Sequence, residues 1–260
     1  MSLIWRGIAC GLGALALARA TEAQERPEAI LRRAILAAGG ESSLGAAEGL
    51  EWEAAALVHI PGRDIAIRGV WKIQPPDSAV VATYDTTRGP TTTWRLIVAG
   101  RRGWLERDSV LTPLSPATLS EERHQFYLYS LLRLVRLRQP GVRLIPVPAN
   151  SAGNVGLRVE QAGRLSVRLY VDSAGRVERI MTTFATGGGE PGDRQDIRLT
   201  GTLAAGGVNW FRKMVVHRAG KPYFEMELTA LRAHYQLSDP LLAGPRPRNR
   251  SGSARRGPTR

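Results

Sequence analysis

The stretch WRLIVAGRRGWLERD, residues 94–108, shows the pattern that decides the fold of this chain. Trp94, Leu96 and Val98 alternate with residues of the opposite face, and a turn with two glycines and two arginines leads to Trp104. Alternation with a period of two is typical of a strand that buries one face, and a short glycine-containing turn joins neighbouring antiparallel strands. The stretch therefore predicts a β-hairpin that presents apolar side chains on one face.

Alternating runs of the same kind fill most of the chain. They occur in residues 49–85 before this hairpin and in residues 142–235 after the middle of the chain, separated by turns with glycine or proline. Strands that follow one another without a helix between them pair in antiparallel fashion. We therefore predict a mainly β, α+β fold with a single antiparallel sheet of about ten or eleven strands.

Two segments have helical spacing. Residues 25–40 place Pro27 in a first turn and end in a glycine pair, which predicts a short helix before the strands. Residues 118–138 contain Thr118 and Glu121 at the spacing of a capping box, together with a broad apolar surface. This second helix is more apolar than a surface helix requires, so we expect it to cover one face of the sheet.

The two ends of the chain differ from the rest. Residues 1–20 combine an early arginine, an apolar run and a small-x-small triplet, the pattern of a cleaved signal peptide, with an uncleaved anchor as the alternative. Cys10 is the one cysteine and lies in this segment, so the mature chain is predicted to lack disulfides and thiolates. Residues 245–260 are rich in Pro, Gly, Ser and Arg and are expected to be disordered. Residues 21–244 form the predicted domain, in the periplasm or secreted.

The formal net charge of +13 raises the question of a nucleic-acid partner. Two of the arginines lie in residues 1–20 and six in residues 245–260, and neither segment contains an acidic residue. Without these eight arginines the charge of residues 21–244 is +5, which is ordinary for a surface of mixed sign. The distribution therefore predicts no nucleic-acid partner. The tail is expected either to have no specific role or to tether weakly to anionic surfaces.

The chain contains none of the short motifs that hold phosphates, catalytic serines or zinc. No two histidines have the spacing of metal ligands, although three could meet in a zinc site through tertiary contact. Glu225 and Glu227 lie at i, i+2 in one predicted strand, which suits acid–base work on a sugar but is also the spacing of a solvated strand face. We therefore predict no metal, no cofactor and no enzymatic activity, with a glycan hydrolase as the alternative. The histidines are His59, His124, His217 and His234.

The aromatic residues indicate another role for the sheet. Trp52, Trp71 and Trp94 lie in three predicted strands, each on the face with most of the aliphatic residues. A helix of about twenty residues covers only about 30 Å of such a face. Two interpretations stay open: the sheet curls until it fills itself, or a cavity is left for an apolar ligand. The residues predicted to line such a cavity are Trp52, Trp71, Trp94, Leu96, Val98, Leu169, Met214 and Met226.

Three local stretches resemble one known family. AAGGESSLGAAEGLEWEAAALV, residues 37–58, is similar to its opening helix, double glycine and first strand, and VAGRRGWLERD, residues 98–108, to its glycine-turn-tryptophan hairpin. SDPLLAGP, residues 238–245, is similar to its closing turn, although Leu242 stands where the family usually has an aromatic residue. The family is that of the LolA-like periplasmic proteins, which includes lipoprotein carriers and outer-membrane lipoprotein-sorting proteins, and the chain resembles a divergent member of it.

The resemblance implies both a fold and a function. The implied fold is a single curved antiparallel sheet that forms an unclosed half β-barrel, covered by helices over an apolar cavity. The implied activity is non-covalent binding of acyl chains of lipids or lipoproteins by residues 21–244, without catalysis, and a membrane or envelope protein is a further expected partner. We expect a monomer. The alternative is a regulatory or scaffolding envelope domain that binds protein partners with the same fold.

Overall fold

The computed structural model describes residues 25–184, 192 and 194–245. The predicted signal peptide, residues 1–20, and the predicted tail from residue 246 onward lie outside these residues. None of the helices in the described ranges is long and apolar enough to cross a membrane. Thirteen strands of the described part form one antiparallel sheet. They are β1 (Gly49–Ile60), β2 (Arg63–Gln74), β3 (Ser78–Asp85), β4 (Trp94–Ala99), β5 (Arg102–Arg107), β6 (Val110–Pro113), β7 (Val142–Val147), β8 (Val155–Gln161), β9 (Val167–Val171), β10 (Val177–Thr183), β11 (Arg194–Ala205), β12 (Val208–Arg218) and β13 (Lys221–His234).

The sheet consists of two antiparallel meanders that meet at its centre. β1 to β6 follow one another outward on one side, β13 to β7 follow one another outward on the other, and β1 pairs with β13. Among the described strands, the edge strands β6 and β7 each have one neighbour and do not pair with each other. The prediction of a single, unclosed antiparallel sheet with helices is therefore confirmed.

The sheet has 13 strands, more than the predicted number of about ten or eleven. β6 was missed because it consists of four exposed residues without an apolar face. It pairs with β5 across a turn in which Asp108 and Ser109 have φ values of +50° and +62°. Its strand conformation thus comes from pairing with β5 and not from a pattern in its own sequence.

One face of the sheet carries a continuous apolar row near its centre. Trp52 on β1 lies opposite Trp71 on β2, Trp71 opposite Val81 on β3, and Val81 opposite Leu96 on β4. Side chains directly across neighbouring strands point to the same side, so the row runs across four strands on one face. Trp52 and Trp71 are 0% and 6% exposed, and their burial removes a large apolar area from water.

Two short helices precede the sheet. α1 (Pro27–Ala37) begins with a proline in its first turn, as predicted. After Gly39, which has a φ of +116°, the chain turns directly into α2 (Gly40–Ala46). A Cβ atom at Gly39 would overlap the carbonyl oxygen of Gly207, so this turn requires glycine. α2 was not predicted, because Leu44 is the single side chain that it buries and no helical stripe marks it.

The helix α3 (Pro116–Leu131) covers the inner face of the sheet. Its N-cap is Ser115, whose hydroxyl accepts a hydrogen bond from the Thr118 backbone N–H at 3.1 Å. It ends early because Leu134 has a φ of +53° and the chain continues as the 3-10 turn Val135–Arg138. The predicted helix was therefore wrong at both ends. Buried leucines continue beyond α3, which is why the whole segment looked helical in the sequence.

The C-terminal half of α3 completes an aromatic core with β1 and β12. Tyr129 packs edge-on against Trp52 with ring centroids 5.3 Å apart, and it stacks on Phe211 at 6.4 Å. Trp210 lies beside both Trp52 and Phe211, at 6.3 and 5.4 Å. Aromatic pairs at such distances add about 0.5–1.5 kcal/mol beyond the burial of their surface. The centre of the half-barrel is thus filled by side chains.

Arg133 is a buried cation that joins the end of α3 to α2. It is 4% exposed, and its Nη2 donates to the carbonyl oxygen of Leu44 at 2.9 Å. Burial lowers the pKa of Arg133 to about 10, so it stays charged at neutral pH. We expect Arg133→Met to reduce the free energy of unfolding by about 1–3 kcal/mol, because a buried carbonyl loses its charged donor. Denaturant titration measures the change.

Arg138→Met is the matched control for this prediction. Arg138 lies in the same segment but is exposed, and it forms a surface ion pair with Glu41 at 2.6 Å. Loss of such a pair costs about 0–1 kcal/mol. Equal losses of stability in the two variants would contradict a special contribution from the buried arginine.

Candidate ligand-binding site

The helical cover leaves one end of the inner face open. Along β1 the exposed fraction rises from 0% at Trp52 through 4% at Ala54 to 7% at Ala56, and Val58 is only half-buried. On β2, directly opposite Val58, Ile65 is half-buried as well. Along β1, every second side chain points to the same side as Trp52, and Val58 is one of them. Ile65 lies directly opposite Val58, so both side chains face the inside of the half-barrel. The inner face is therefore accessible at this end.

A hollow of about 520 Å³ lies there, and we call it the open-end hollow. This volume is typical of small-molecule sites, which measure roughly 300–1,000 Å³. Its floor is apolar and its rim is charged. The floor consists of Val58, Ile65, Ile67 and Trp94, and the rim contains Arg63, Arg88, Arg107, Asp85 and Asp108.

Of the eight residues predicted to line a cavity, one, Trp94, lines the open-end hollow. It is the first residue of β4, it pairs with Thr83 of β3, and it is half-buried. Thr83 is 1% exposed, so the wall beside Trp94 is closed to solvent. The indole is thus held against the sheet on one side and borders the hollow on the other.

The other seven residues predicted to line a cavity lie in, or against, one packed core. All of them except the half-buried Leu96 are at most 6% exposed. Side chains packed at this density have no free surface for a ligand as long as the cover stays in place. Ligand contact by this group stays a prediction and requires α3 to move. The group consists of Trp52, Trp71, Leu96, Val98, Leu169, Met214 and Met226.

Three floor residues, Val58, Ile65 and Ile67, were not predicted as part of the site. The alternation of β1 and β2 places all three on the apolar face, which is the one signal that could have identified them. The local pattern does not show where the cover by α3 ends. The position of the hollow therefore follows from tertiary packing.

Three arginines from separate parts of the chain reach the rim of the open-end hollow. Arg63 begins β2, Arg88 lies in the connection between β3 and β4, and Arg107 ends β5. All three are exposed, and none forms an ion pair with a carboxylate in the described ranges. One rim carboxylate, Asp85, accepts hydrogen bonds from the hydroxyl and backbone N–H of Thr87 at 2.6 and 2.8 Å, which lower its pKa. Arg88 and Arg63 act on Asp85 through their charges without an ion pair, so the guanidinium N–H groups of the rim remain available to an anion.

A second hollow, of about 390 Å³, lies on another side of the aromatic core, between α1 and strands β10 to β12. Trp210 and Phe211 form part of its wall. The Nε1–H of Trp210 is buried and has no acceptor among the described residues. The Asn209 side-chain amide donates to the carbonyl oxygen of Ala37 at 2.9 Å and so fastens the end of α1 beside this hollow.

Half-buried polar groups lie at the contact between the N-terminal half of α3 and the sheet. Arg218 of β12 pairs with Glu121 at 2.5 Å and donates from Nε to Gln195 at 2.9 Å. Burial and the neighbouring charge of Glu121 raise the pKa of Glu122 to about 7. Burial and nearby arginines lower the pKa of His124 to about 4. The contact between the cover and the sheet therefore contains two groups whose protonation is shifted by burial.

The carboxylates considered for glycan hydrolysis lie on the outer face of β13. Glu225 is 3.1 Å from His59, and Glu227 pairs with Lys213 at 3.1 Å. The pKa of His59 is raised, chiefly by its hydrogen bond with Asp64. Within the described ranges, no group of three or more His, Cys, Asp and Glu side chains could hold a metal ion. Both carboxylates are thus engaged in surface pairs, as on a solvated strand face.

Several solved structures share this architecture at low sequence identity. A LolA superfamily protein from Nitrosomonas europaea matches with a TM-score of 0.53 and 11% identity, over 83% of this chain and 96% of its own. A domain named for outer membrane lipoprotein sorting, from Vibrio parahaemolyticus, has a TM-score of 0.53 and 11% identity, with 82% and 96% covered. A DUF1329 family protein from Desulfovibrio piger has a TM-score of 0.53 and 12% identity, with 82% and 95% covered. No protein-family model matches the sequence, and neither does any curated protein.

The chain therefore has the LolA-like fold: one unclosed antiparallel sheet with helices on its inner face. The resemblance found in the sequence is confirmed at this level. Because identities of 11–12% show a common fold and not a common ligand, function has to be argued from the hollows of this chain.

Proposed function

We propose that this protein is a non-enzymatic cell-envelope protein that binds the acyl chains of lipids or lipoproteins. The observation that carries the proposal is the open-end hollow, in which Val58, Ile65 and Trp94 present apolar surface at the uncovered end of the inner face. The names of two structural neighbours, a LolA superfamily protein and a lipoprotein-sorting domain, support it.

The hollow suits reversible binding. Each methylene group taken out of water stabilises a complex by about 0.8 kcal/mol. An acyl chain that lies in an open hollow keeps part of its surface in water. Its free energy of binding is therefore smaller than that of a fully enclosed acyl chain. Binding of this moderate strength permits release, which a carrier requires.

The proposal includes a place for the protein in the cell. An acyl-chain carrier of this fold is expected in the periplasm or outside the cell, with residues 1–20 as its signal peptide and residues 21–244 as the binding domain. The protein is expected to work as a monomer and to exchange its ligand with a membrane or an envelope protein.

Binding of a fluorescent fatty-acid probe tests the proposal. The mature wild-type protein is expected to bind the probe, and Trp94→Ala is expected to weaken binding about tenfold, because the apolar contact that is lost contributes about 1.4 kcal/mol. Fluorescence titration gives the dissociation constants, and thermal unfolding shows that the variant stays folded.

Trp104→Ala is the matched control. Trp104 is the neighbouring half-buried tryptophan, on β5, but it packs beside Arg102 and does not line the open-end hollow. Its replacement is expected to change the affinity less than about twofold. No binding by the wild type, or equal effects of the two substitutions, would contradict the proposal. The first of these outcomes would favour the alternative of an envelope domain that binds protein partners.

A further inference from the structure

We infer that the ligand of the open-end hollow is an anionic lipid, whose phosphate or carboxylate headgroup binds Arg63, Arg88 and Arg107. This inference rests on the proposed function and names the class of lipid. Its basis is the convergence, around a single opening, of three arginines that lie far apart along the chain.

The three arginines reach the opening from three different segments of the chain, two strands and one connection. Arg63 starts β2, the strand of the floor residue Ile65. Arg107 ends β5, which pairs with β4, the strand that begins with Trp94. Arg88 extends from the connection between β3 and β4. All three arginines border the hollow that the apolar floor residues also line. A lipid whose acyl chain lies on this floor would therefore have its headgroup within reach of their charges.

The rim arginines differ from many other arginines of the sheet. Arg95 of β4 and Arg232 of β13 bind the glutamates opposite them at 2.8 and 2.9 Å. The rim arginines form no such ion pair in the described part of the chain. Arg88 and Arg63 act on Asp85 only through their charges, while its Oδ1 accepts hydrogen bonds from Thr87, and with Asp85 and Asp108 against three arginines the rim keeps a positive balance. A guanidinium group binds a phosphate or carboxylate through parallel hydrogen bonds, so an anionic headgroup would supply the missing partner.

The combination of rim and floor selects an amphiphile. A free inorganic phosphate would use the arginines and leave the apolar floor in water, whereas a neutral lipid would use the floor and leave the arginines unpaired. An anionic lipid uses both surfaces at once. Charge and apolar area therefore favour the same class of ligand.

Binding of two amphiphiles with the same chain tests the inference. The wild-type protein is expected to bind dodecyl phosphate about tenfold or more tightly than dodecyl maltoside, and this preference is expected to weaken as salt is raised. In the triple variant Arg63→Gln, Arg88→Gln, Arg107→Gln the preference is expected to disappear, while the affinity for dodecyl maltoside changes less than about twofold. Retained binding of the maltoside shows that the hollow of this variant is intact.

A control variant removes the same charge elsewhere. Arg68, Arg101 and Arg198 are exposed, lie outside the open-end hollow and form no ion pair among the described residues. Changing these three to glutamine is expected to leave the preference for dodecyl phosphate within about twofold of the wild type. Isothermal titration calorimetry measures all the affinities.

Three results would overturn the inference: equal binding of dodecyl phosphate by the wild type and the rim variant, an equal loss in the control variant, or competition by inorganic phosphate alone as strong as that by dodecyl phosphate. Failure of the wild type to bind either amphiphile is a different result and would overturn the proposed function itself. Binding of both amphiphiles without a preference would leave the proposed function standing and refute the anionic headgroup.

Discussion

Replacing Trp52 by alanine is expected to reduce the free energy of unfolding by about 3–5 kcal/mol, the range for removing a large aromatic side chain from a packed core. Trp52 is 0% exposed and lies between Tyr129 of α3 and Trp210 of β12. The substitution would leave a cavity between the sheet and its cover. Denaturant titration with two probes, tryptophan fluorescence and circular dichroism, gives the loss of stability and tests whether unfolding stays two-state.

The matched comparison is again Trp104→Ala. Trp104 is half-buried and lies outside the aromatic core, so its loss is expected to cost about 1 kcal/mol. A loss below about 1 kcal/mol for Trp52→Ala would contradict a filled centre of the half-barrel. That result would support the other interpretation of the sequence, in which the central tryptophans border a cavity.

Glu122→Gln is expected to stabilise the protein at pH 8 by up to about 3 kcal/mol and to leave its stability unchanged below pH 4.5. The carboxyl pKa is raised from 4.5 to about 7, chiefly by burial and further by Glu121. The folded state therefore holds this proton more tightly than the unfolded state does. The resulting stabilisation is complete below pH 4.5 and is lost as the pH rises to about 7, and glutamine removes this dependence because it is neutral throughout.

His124 produces the opposite dependence. Burial lowers its pKa from 6.5 to about 4, so the folded state loses stability as the pH falls from 6.5 to 4. In the wild type the two slopes oppose each other between about pH 4.5 and 6.5. The Glu122→Gln variant should therefore lose stability more steeply than the wild type as the pH falls through this interval.

Unfolding by urea at pH 5, 6.5 and 8 measures both slopes. His124→Gln is the complementary variant, since it keeps the Glu122 dependence and removes the opposing one. Glu41→Gln, at an exposed surface ion pair, is the control and should shift stability by less than about 1 kcal/mol at each pH. Parallel pH profiles of the wild type and Glu122→Gln would show that the Glu122 carboxyl of α3 titrates as it does in water.

Much of the fold could be predicted because each strand shows a local alternation of apolar and polar residues. The alternation around Trp52, Trp71 and Trp94 is a property of each strand alone, and it identified the antiparallel sheet and its apolar face. The prediction of the cover was less accurate at its ends, since the buried leucines beyond Leu131 continue the helical spacing after the backbone has left the helix. β6 carries no pattern and exists because β5 offers it hydrogen-bonding partners.

The candidate site was less predictable than the fold. Trp52 and Trp94 are alike in the sequence, as tryptophans on the apolar faces of alternating strands, yet one is enclosed and the other borders a hollow. The difference depends on where α3 lies, and that is decided by contacts between residues far apart, such as Tyr129 with Phe211. The arginines of the rim gave no signal, because each of them looks like an ordinary solvated residue in its own segment.

The sequence by itself thus determined which residues form strands and which face of each strand is apolar, since side-chain direction alternates along a single strand. The tertiary structure alone decided how much of that face is covered. The pairing of β1 with β13 and the packing of α3 on the aromatic core join residues distant in the chain, and the space that they leave at Val58, Ile65 and Trp94 is a property of the assembled half-barrel.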